Sequence, residues 1–281
     1  MRFIIFGDSK GKNHGINDKV LKKILHITCK LNPEPEFIVV CGDSIAGSTN
    51  EIILRHQLNN FKDILNKYHP NKSILPVIGN HEVNITPNDD KFELIFKEVY
   101  DDFNPTEYLE EYNKTAYYVD LENTRFIVLN SFHYNEIHKI TNNQLKWFEK
   151  ISAEEKDHKL LFIHSPAFPT GAHLSHCLDL YPECRDSFWK IVEKNHIDIV
   201  FSGHEHNYSR RIIGEYKIPQ IISGGAGEKL RNKYKDKKGV VVPPIDKFHF
   251  LLVDINDNLI KVSAISSKNT ILDTFTINKN N

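Results

Sequence analysis

Short apolar runs recur along the first two hundred residues, separated by longer amphipathic stretches. RFIIF (2–6), EFIVV (36–40), SILPVI (73–78), RFIVLN (125–130), KLLFI (159–163) and DIVFS (198–202) are rich in β-branched and aromatic residues and stop at turn formers. Runs of that length and composition read as buried strands. Between them, 17–31, 51–67, 142–156 and 185–195 place apolar residues at helical spacing, with Asn17 as a cap and Thr141 ahead of the third of these runs. Alternation of strand and helix predicts an α/β sheet. The C-terminus changes pattern: FHFLLVDIN, LIKVSAIS and TILDTFTIN succeed one another across short turns such as Asp257-Asn258. That part predicts antiparallel strands. No repeat, linker or break in composition divides the chain, so a single domain over 1–281 is expected.

The residues at the strand ends turn the picture from architecture to chemistry. The first strand ends in Gly7-Asp8, the second in Gly42-Asp43, and the third in Gly79-Asn80-His81-Glu82. The strand at 159–163 ends in His164, and that at 198–202 in Gly203-His204-Glu205-His206. In open α/β sheets the carboxyl ends of the strands share one edge, and ligands bind there. Residues remote in sequence therefore converge. Asp8, Asp43, Asn80, His164, His204 and His206 make an oxygen/nitrogen donor set too large for one tetrahedral ion and suited to two ions sharing a carboxylate. Any one of these residues alone would be an ordinary turn former or cap; the weight lies in the series.

Asp8, GDSI, GNHE, His164 and GHEH, in this order from residue 1 to about 210, resemble the motif series of the calcineurin-like metallophosphoesterases. IISGGAGEKL (221–230) is similar to that family's glycine-rich strand end. The resemblance implies a four-layer αββα sandwich of two mixed β-sheets flanked by helices. It implies Asp8 and His206 on a first metal ion, Asn80, His164 and His204 on a second, and Asp43 bridging both. His81 would be the acid that protonates the leaving oxygen, with Glu82 placed to orient or tune it. The ions are divalent or transition metals of the Mn, Fe, Zn or Co class, which mixed nitrogen/oxygen ligation accepts without choosing among them.

One motif departs from the family. The usual Asp-x-His reads Asp8-Ser9-Lys10 here. A protonated lysine has no lone pair and is no ligand. Lys10 is expected to touch a substrate phosphate as a point charge. Asn207, Tyr208 and Arg210, directly after the last candidate ligands, are expected as further substrate contacts. The segment 166–187 is expected to lie over the site, with His173 and His176 on it.

Composition narrows the substrate. Lys and Arg number 36 against 37 Asp and Glu, a net charge of -1 that gives no global attraction to nucleic acid or anionic membrane. A small phosphorylated substrate is therefore expected, with nucleic acid disfavoured, and the oligomeric state is left open. No apolar run approaches the roughly 18 residues of a membrane span, and a cytoplasmic location is expected. The four cysteines form no C-x-x-C pair and are expected as thiols. The function expected is metal-dependent hydrolysis of a phosphomonoester or phosphodiester. The alternatives are a nuclease of the same fold, and a non-catalytic metal-binding scaffold.

Overall fold

The computed structural model describes residues 1–85 and 87–279, the side chain of Asn142 excepted. Thr86, Asn280 and Asn281 of the expected 1–281 domain lie outside the described residues. The first third of the chain holds β1 (Arg2–Phe6), β2 (Lys10–Asn13), α1 (Asp18–Thr28), β3 (Phe37–Cys41), α2 (Glu51–Tyr68), β4 (Ser73–Val77) and α3 (Lys91–Val99). The middle holds β5 (Glu107–Tyr108), β6 (Tyr117–Leu121), β7 (Thr124–Leu129), α4 (Asn142–Ser152), β8 (His158–Ile163), α5 (Pro182–Lys194) and β9 (Ile199–Ser202). The end holds β10 (Tyr208–Ile213), β11 (Ile218–Ser223), β12 (Val240–Ile245), β13 (His249–Asn256), β14 (Leu259–Ser266) and β15 (Ile271–Asn278).

These strands form two mixed sheets. One has the order β15-β14-β13-β1-β3-β4 and the other β12-β10-β11-β9-β8-β7-β6-β5. Within the first, β1, β3 and β4 run parallel; within the second, β7, β8 and β9 do. Strand alternation decides the layers. Phe3, Ile5, Val39 and Val77 meet Phe126, Val128, Phe162 and Phe201 between the sheets. Ile4, Phe6, Ile38 and Val40 face α1, α2 and α3 on one outside. Ile127, Leu129, Leu161 and Val200 face α4 and α5 on the other. The result is the αββα sandwich expected from the resemblance.

The helices start where the sequence places caps. The Asn17 side chain accepts from the Val20 amide, and Asn50 accepts from Ile52 and Ile53. Pro243 and Pro244 lie in β12, at the edge of its sheet, where a missing N–H breaks no ladder. All four cysteines are free thiols, as expected. No helix among the described residues is long and apolar enough to cross a membrane.

Candidate metal centre

The parallel register of β1, β3 and β4 brings Asp8, Asp43 and Asn80 to one rim, and that of β8 and β9 brings His164 and His204 to the same place from the other sheet. Hydrogen bonds join these strand ends, the first within the second sheet and the other across to the first sheet. The Gly203 amide donates to the His164 carbonyl (3.1 Å), and the His204 amide donates to Asp8 Oδ2 (2.9 Å). Space is tight: a Cβ on Gly203 would lie 2.5 Å from Asp8 Oδ2, so only glycine lets the sheets approach this closely. The chain turns sharply into the site. Asp8, Asp43, His204 and His206 all adopt left-handed backbone, with φ of 61°, 51°, 70° and 45°. That conformation is uncommon without glycine and concentrates at functional sites.

Two buried donor groups result, sharing Asp43: Asp43, His164 and His204 in one, Asp8, Asp43 and His206 in the other, each with ligand atoms within 4.8 Å of one another. Asn80 joins the first of these, its Oδ1 lying 3.2 Å from His164 Nε2. The imidazoles there are held by their far nitrogens. His164 Nδ1 donates to the Cys41 carbonyl (2.6 Å) and His204 Nε2 to the His176 carbonyl (2.9 Å). Those bonds turn His164 Nε2 and His204 Nδ1, 3.2 Å apart, toward the interior. In the other group, Asp8 Oδ1 and His206 Nδ1 are buried without a hydrogen-bond partner among the described residues. Buried polar atoms of that kind are rare, and Asp8 Oδ1, 3.5 Å from His206 Nε2, suits a place where a ligand binds. The donor chemistry of Asp43, Asn80, His164 and His204 fits a transition ion, whereas the group of Asp8, Asp43 and His206 is shared with the Lys10 ammonium.

Electrostatics prepare the set. Burial, aided by the neighbouring cations His164 and Lys10, keeps His204 well below the usual imidazole range and His206 at about 2, so both are neutral and able to ligate. Burial also disfavours a charged His164, but the carboxylates of Asp43 and Asp8 outweigh it and raise His164 to about 9. Burial raises Asp8 to about 7. Asp43 is buried too, yet the charges of His164 and Lys10 hold its carboxyl well below the ordinary range.

Lys10 lines the cavity, and its ammonium is also held within the donor set. It is 6% exposed, and its ammonium lies 2.5 Å from Asp43 Oδ2 and 3.4 Å from His206 Nε2. Burial lowers its pKa, but Asp43 and Asp8 more than compensate and the net shift is upward. His81 stands at the mouth. Its Nδ1 donates to the Ala46 carbonyl (2.7 Å) and its Nε2 lies 4.0 Å from Asp43 Oδ2. With Lys10, Asn80, His204 and His206, it lines a cavity of about 250 Å³. A larger cavity, about 810 Å³, opens beside Phe37 and Ser73 at the opposite strand ends and contains none of the candidate ligands.

Three expectations are corrected. Glu82 does not orient His81. Its buried carboxylate accepts from the amides of Asp43, Ser44 and Gly79 and from the Ser44 hydroxyl, tying the β3 and β4 ends together. Tyr208 and Arg210 do not line the cavity. Both bind Asp273 on β15, at 2.6 and 2.7 Å, because β10 carries their side chains in between the sheets. Asn207 is buried away from the cavity and donates to the Glu205 carbonyl (2.7 Å).

The residues that the sequence reading missed are walls and braces. Glu205 points opposite to its histidine neighbours. It accepts from the Thr170 amide and hydroxyl and from the amides of Gly171 and His173, fixing segment 170–173 beside the site. His173, expected near the site, does line the cavity, together with Glu228 and Arg231. The amides of Glu228 and Arg231 donate to the carbonyls of Asp8 and His206 (2.8 and 3.0 Å). The alternation of Gly-His-Glu-His was the available signal for Glu205. Glu228 falls in the glycine-rich stretch 221–230, and Arg231 directly follows it.

Comparison with known proteins places this geometry. The sequence model described as calcineurin-like phosphoesterase matches residues 1–208. Serine/threonine-protein phosphatase CPPED1 of Danio rerio is 26% identical over 259 residues, 87% of this chain and 78% of that protein. Its Homo sapiens namesake is 25% identical over 232 residues, 76% of this chain and 66% of its own. Purple acid phosphatase PPD1 from yellow lupin seeds shares the fold with a TM-score of 0.80 at 17% identity, covering 99% of this chain. This chain spans 53% of the lupin enzyme. GAP50, the anchor in the inner membrane complex of Plasmodium, shares it at 0.70 and 15% identity, over 99% of this chain and 88% of its own. Likeness at such identities speaks to fold alone, and the match along residues 1–208 carries the assignment: the chain belongs to the calcineurin-like phosphoesterase family and is a metal-dependent phosphoesterase.

Proposed function

We propose that this enzyme hydrolyses small phosphomonoesters or phosphodiesters at the rim formed by Asp8, Asp43, Asn80, His164, His204 and His206. Ions of the Mn, Fe, Zn or Co class, when bound, would neutralise phosphoryl oxygens and acidify a water for attack on phosphorus. His81 is the proton donor to the leaving oxygen. One observation carries the reading: the His81 ring is anchored through Nδ1, and its Nε2 stands at the cavity mouth 4.0 Å from the carboxylate common to both donor groups. A general acid must reach the leaving atom while staying off the metal. At about 250 Å³ the cavity suits a phosphoryl group with a small or protruding remainder. Arg231 on its wall offers a cation to that group. The similarity to proteins named serine/threonine-protein phosphatase is compatible with a phosphorylated side chain as that remainder. Near-neutral net charge argues against a nucleic-acid substrate.

The test compares turnover of an aryl phosphate and a bis-aryl phosphate after reconstitution with each of the four metals. His81→Ala should lower kcat by about 10²–10⁴, with metal content per chain unchanged. Activity that survives this substitution contradicts the acid role. Absence of turnover with every metal contradicts the reading as a whole.

A further inference from the structure

We infer that Lys10 supplies one of the two cations of this centre: its ammonium occupies the donor group of Asp8, Asp43 and His206, and the enzyme holds one tightly bound ion, in the group of Asp43, Asn80, His164 and His204. The inference rests on the metallophosphoesterase reading for the identity of the rim. It concerns how many ions that rim takes.

Position is the first argument. Lys10 Nζ lies 2.5 Å from Asp43 Oδ2 and 3.4 Å from His206 Nε2. Both atoms belong to residues of that group, and His206 Nε2 also lies 3.5 Å from Asp8 Oδ1. An ammonium and a metal ion cannot both occupy the small space between Asp8, Asp43 and His206.

The second argument is that the lysine is delivered there by fixed backbone. Its amide donates to the Asp43 carbonyl (3.2 Å), and the preceding Ser9 hydroxyl donates to the Ser44 carbonyl (2.8 Å). The Ser9 carbonyl accepts from the Asn17 amide (2.8 Å), at the start of α1. Gly227 packs against Ser9 from the other side, so closely that a Cβ would lie 2.6 Å from the Ser9 carbonyl oxygen. A side chain leaving this clamped point, 6% exposed, has little route to solvent. Buried ammonium groups persist only beside anions, and Asp43 is the anion here.

The third argument is asymmetry between the groups. His164 and His204 have their outer nitrogens anchored on carbonyls, as metal-binding imidazoles do. His206 has no such anchor on Nδ1. Its Nε2, at 3.4 Å, is placed to accept from Lys10. Lys10 also lines the 250 Å³ cavity, so an N–H of the same ammonium is available to a phosphoryl oxygen.

Metal stoichiometry decides the matter independently of turnover. The protein is stripped of metal, then titrated calorimetrically with Mn²⁺ and with Zn²⁺, and bound metal is counted by elemental analysis after dialysis. Wild type should retain one ion per chain, with any second equivalent at least ~100-fold weaker. Lys10→Met and Lys10→His should each retain two. Two ions of similar affinity in wild type would overturn the inference, as would Lys10→His remaining at one. Should both variants fail to fold, the wild-type protein with excess Mn²⁺ still answers by electron paramagnetic resonance: the spectrum of isolated ions supports the inference, and that of a spin-coupled pair overturns it. Loss of aryl phosphate hydrolysis under every metal would instead strike the phosphoesterase reading and leave the count standing.

Discussion

The two donor groups share a carboxylate and differ in how their other members are held. The group of Asp43, Asn80, His164 and His204 turns its lone pairs inward, with each imidazole locked by a carbonyl. The group of Asp8, Asp43 and His206 has an ammonium against two of its members. Both are assembled by the same device, a strand ending in a sharp turn at the rim. The difference teaches that the fold supplies the convergence, and that a single side chain just past β1 decides what cation the convergence serves.

Breaking the shared member has the largest expected effect. Asp43→Ala removes the anion common to both groups and leaves Lys10 and a protonated His164 buried without it. Removing one partner of a buried pair costs about 3–5 kcal/mol, to be read by chemical denaturation of the ion-free protein. Bound metal and turnover should both fall below detection.

Acidity sharpens the comparison next, because the first of these groups contains an imidazole that is protonated at neutral pH. His164 sits at about 9 in the ion-free protein, raised by Asp43 and Asp8 against its burial. An ion needs the neutral ring, so binding below that pH expels a proton. Apparent affinity should therefore climb with pH, by about tenfold per unit from neutrality to about 9, and then level off. Calorimetry in buffers of differing ionisation heat should count about one proton released per ion at pH 7. A flat profile would contradict the placement of His164.

Smaller effects are expected from the braces. Glu205→Gln keeps the shape and weakens the four-donor clamp on 170–173, at about 1–3 kcal/mol. Because His173 is on that segment and lines the cavity, KM should rise several-fold while kcat and bound metal hold. The smallest effect belongs to Arg210→Ala. It pairs with Asp273 and stacks over Phe275, with 4.3 Å from guanidinium to ring centroid. Kinetic constants should stay within about twofold, with a stability loss of ~0.5–1.5 kcal/mol.

The same geometry sets how far the sequence can be read. The candidate ligands are legible because each ends an apolar run, and a parallel sheet aligns such ends without further information. The antiparallel C-terminal strands are legible from their turns. α3 carries Phe92, Ile95, Phe96 and Val99 at helical spacing, but at 9 residues it is too short for that period to stand out. What the chain does not reveal is which way a side chain leaves a turn. Lys10 points inward to Asp43, Glu82 points to backbone amides rather than to His81, and Tyr208 crosses to a carboxylate 65 residues on. Each depends on a partner that only the packed sheets bring near.

The central claim is tested most directly by diffraction. Crystals grown in Mn²⁺ and measured at the manganese absorption edge should give a strong anomalous peak within bonding distance of Asp43, Asn80, His164 and His204. A map with no peak at that rim, or with manganese bound only elsewhere on the molecule, would contradict the account.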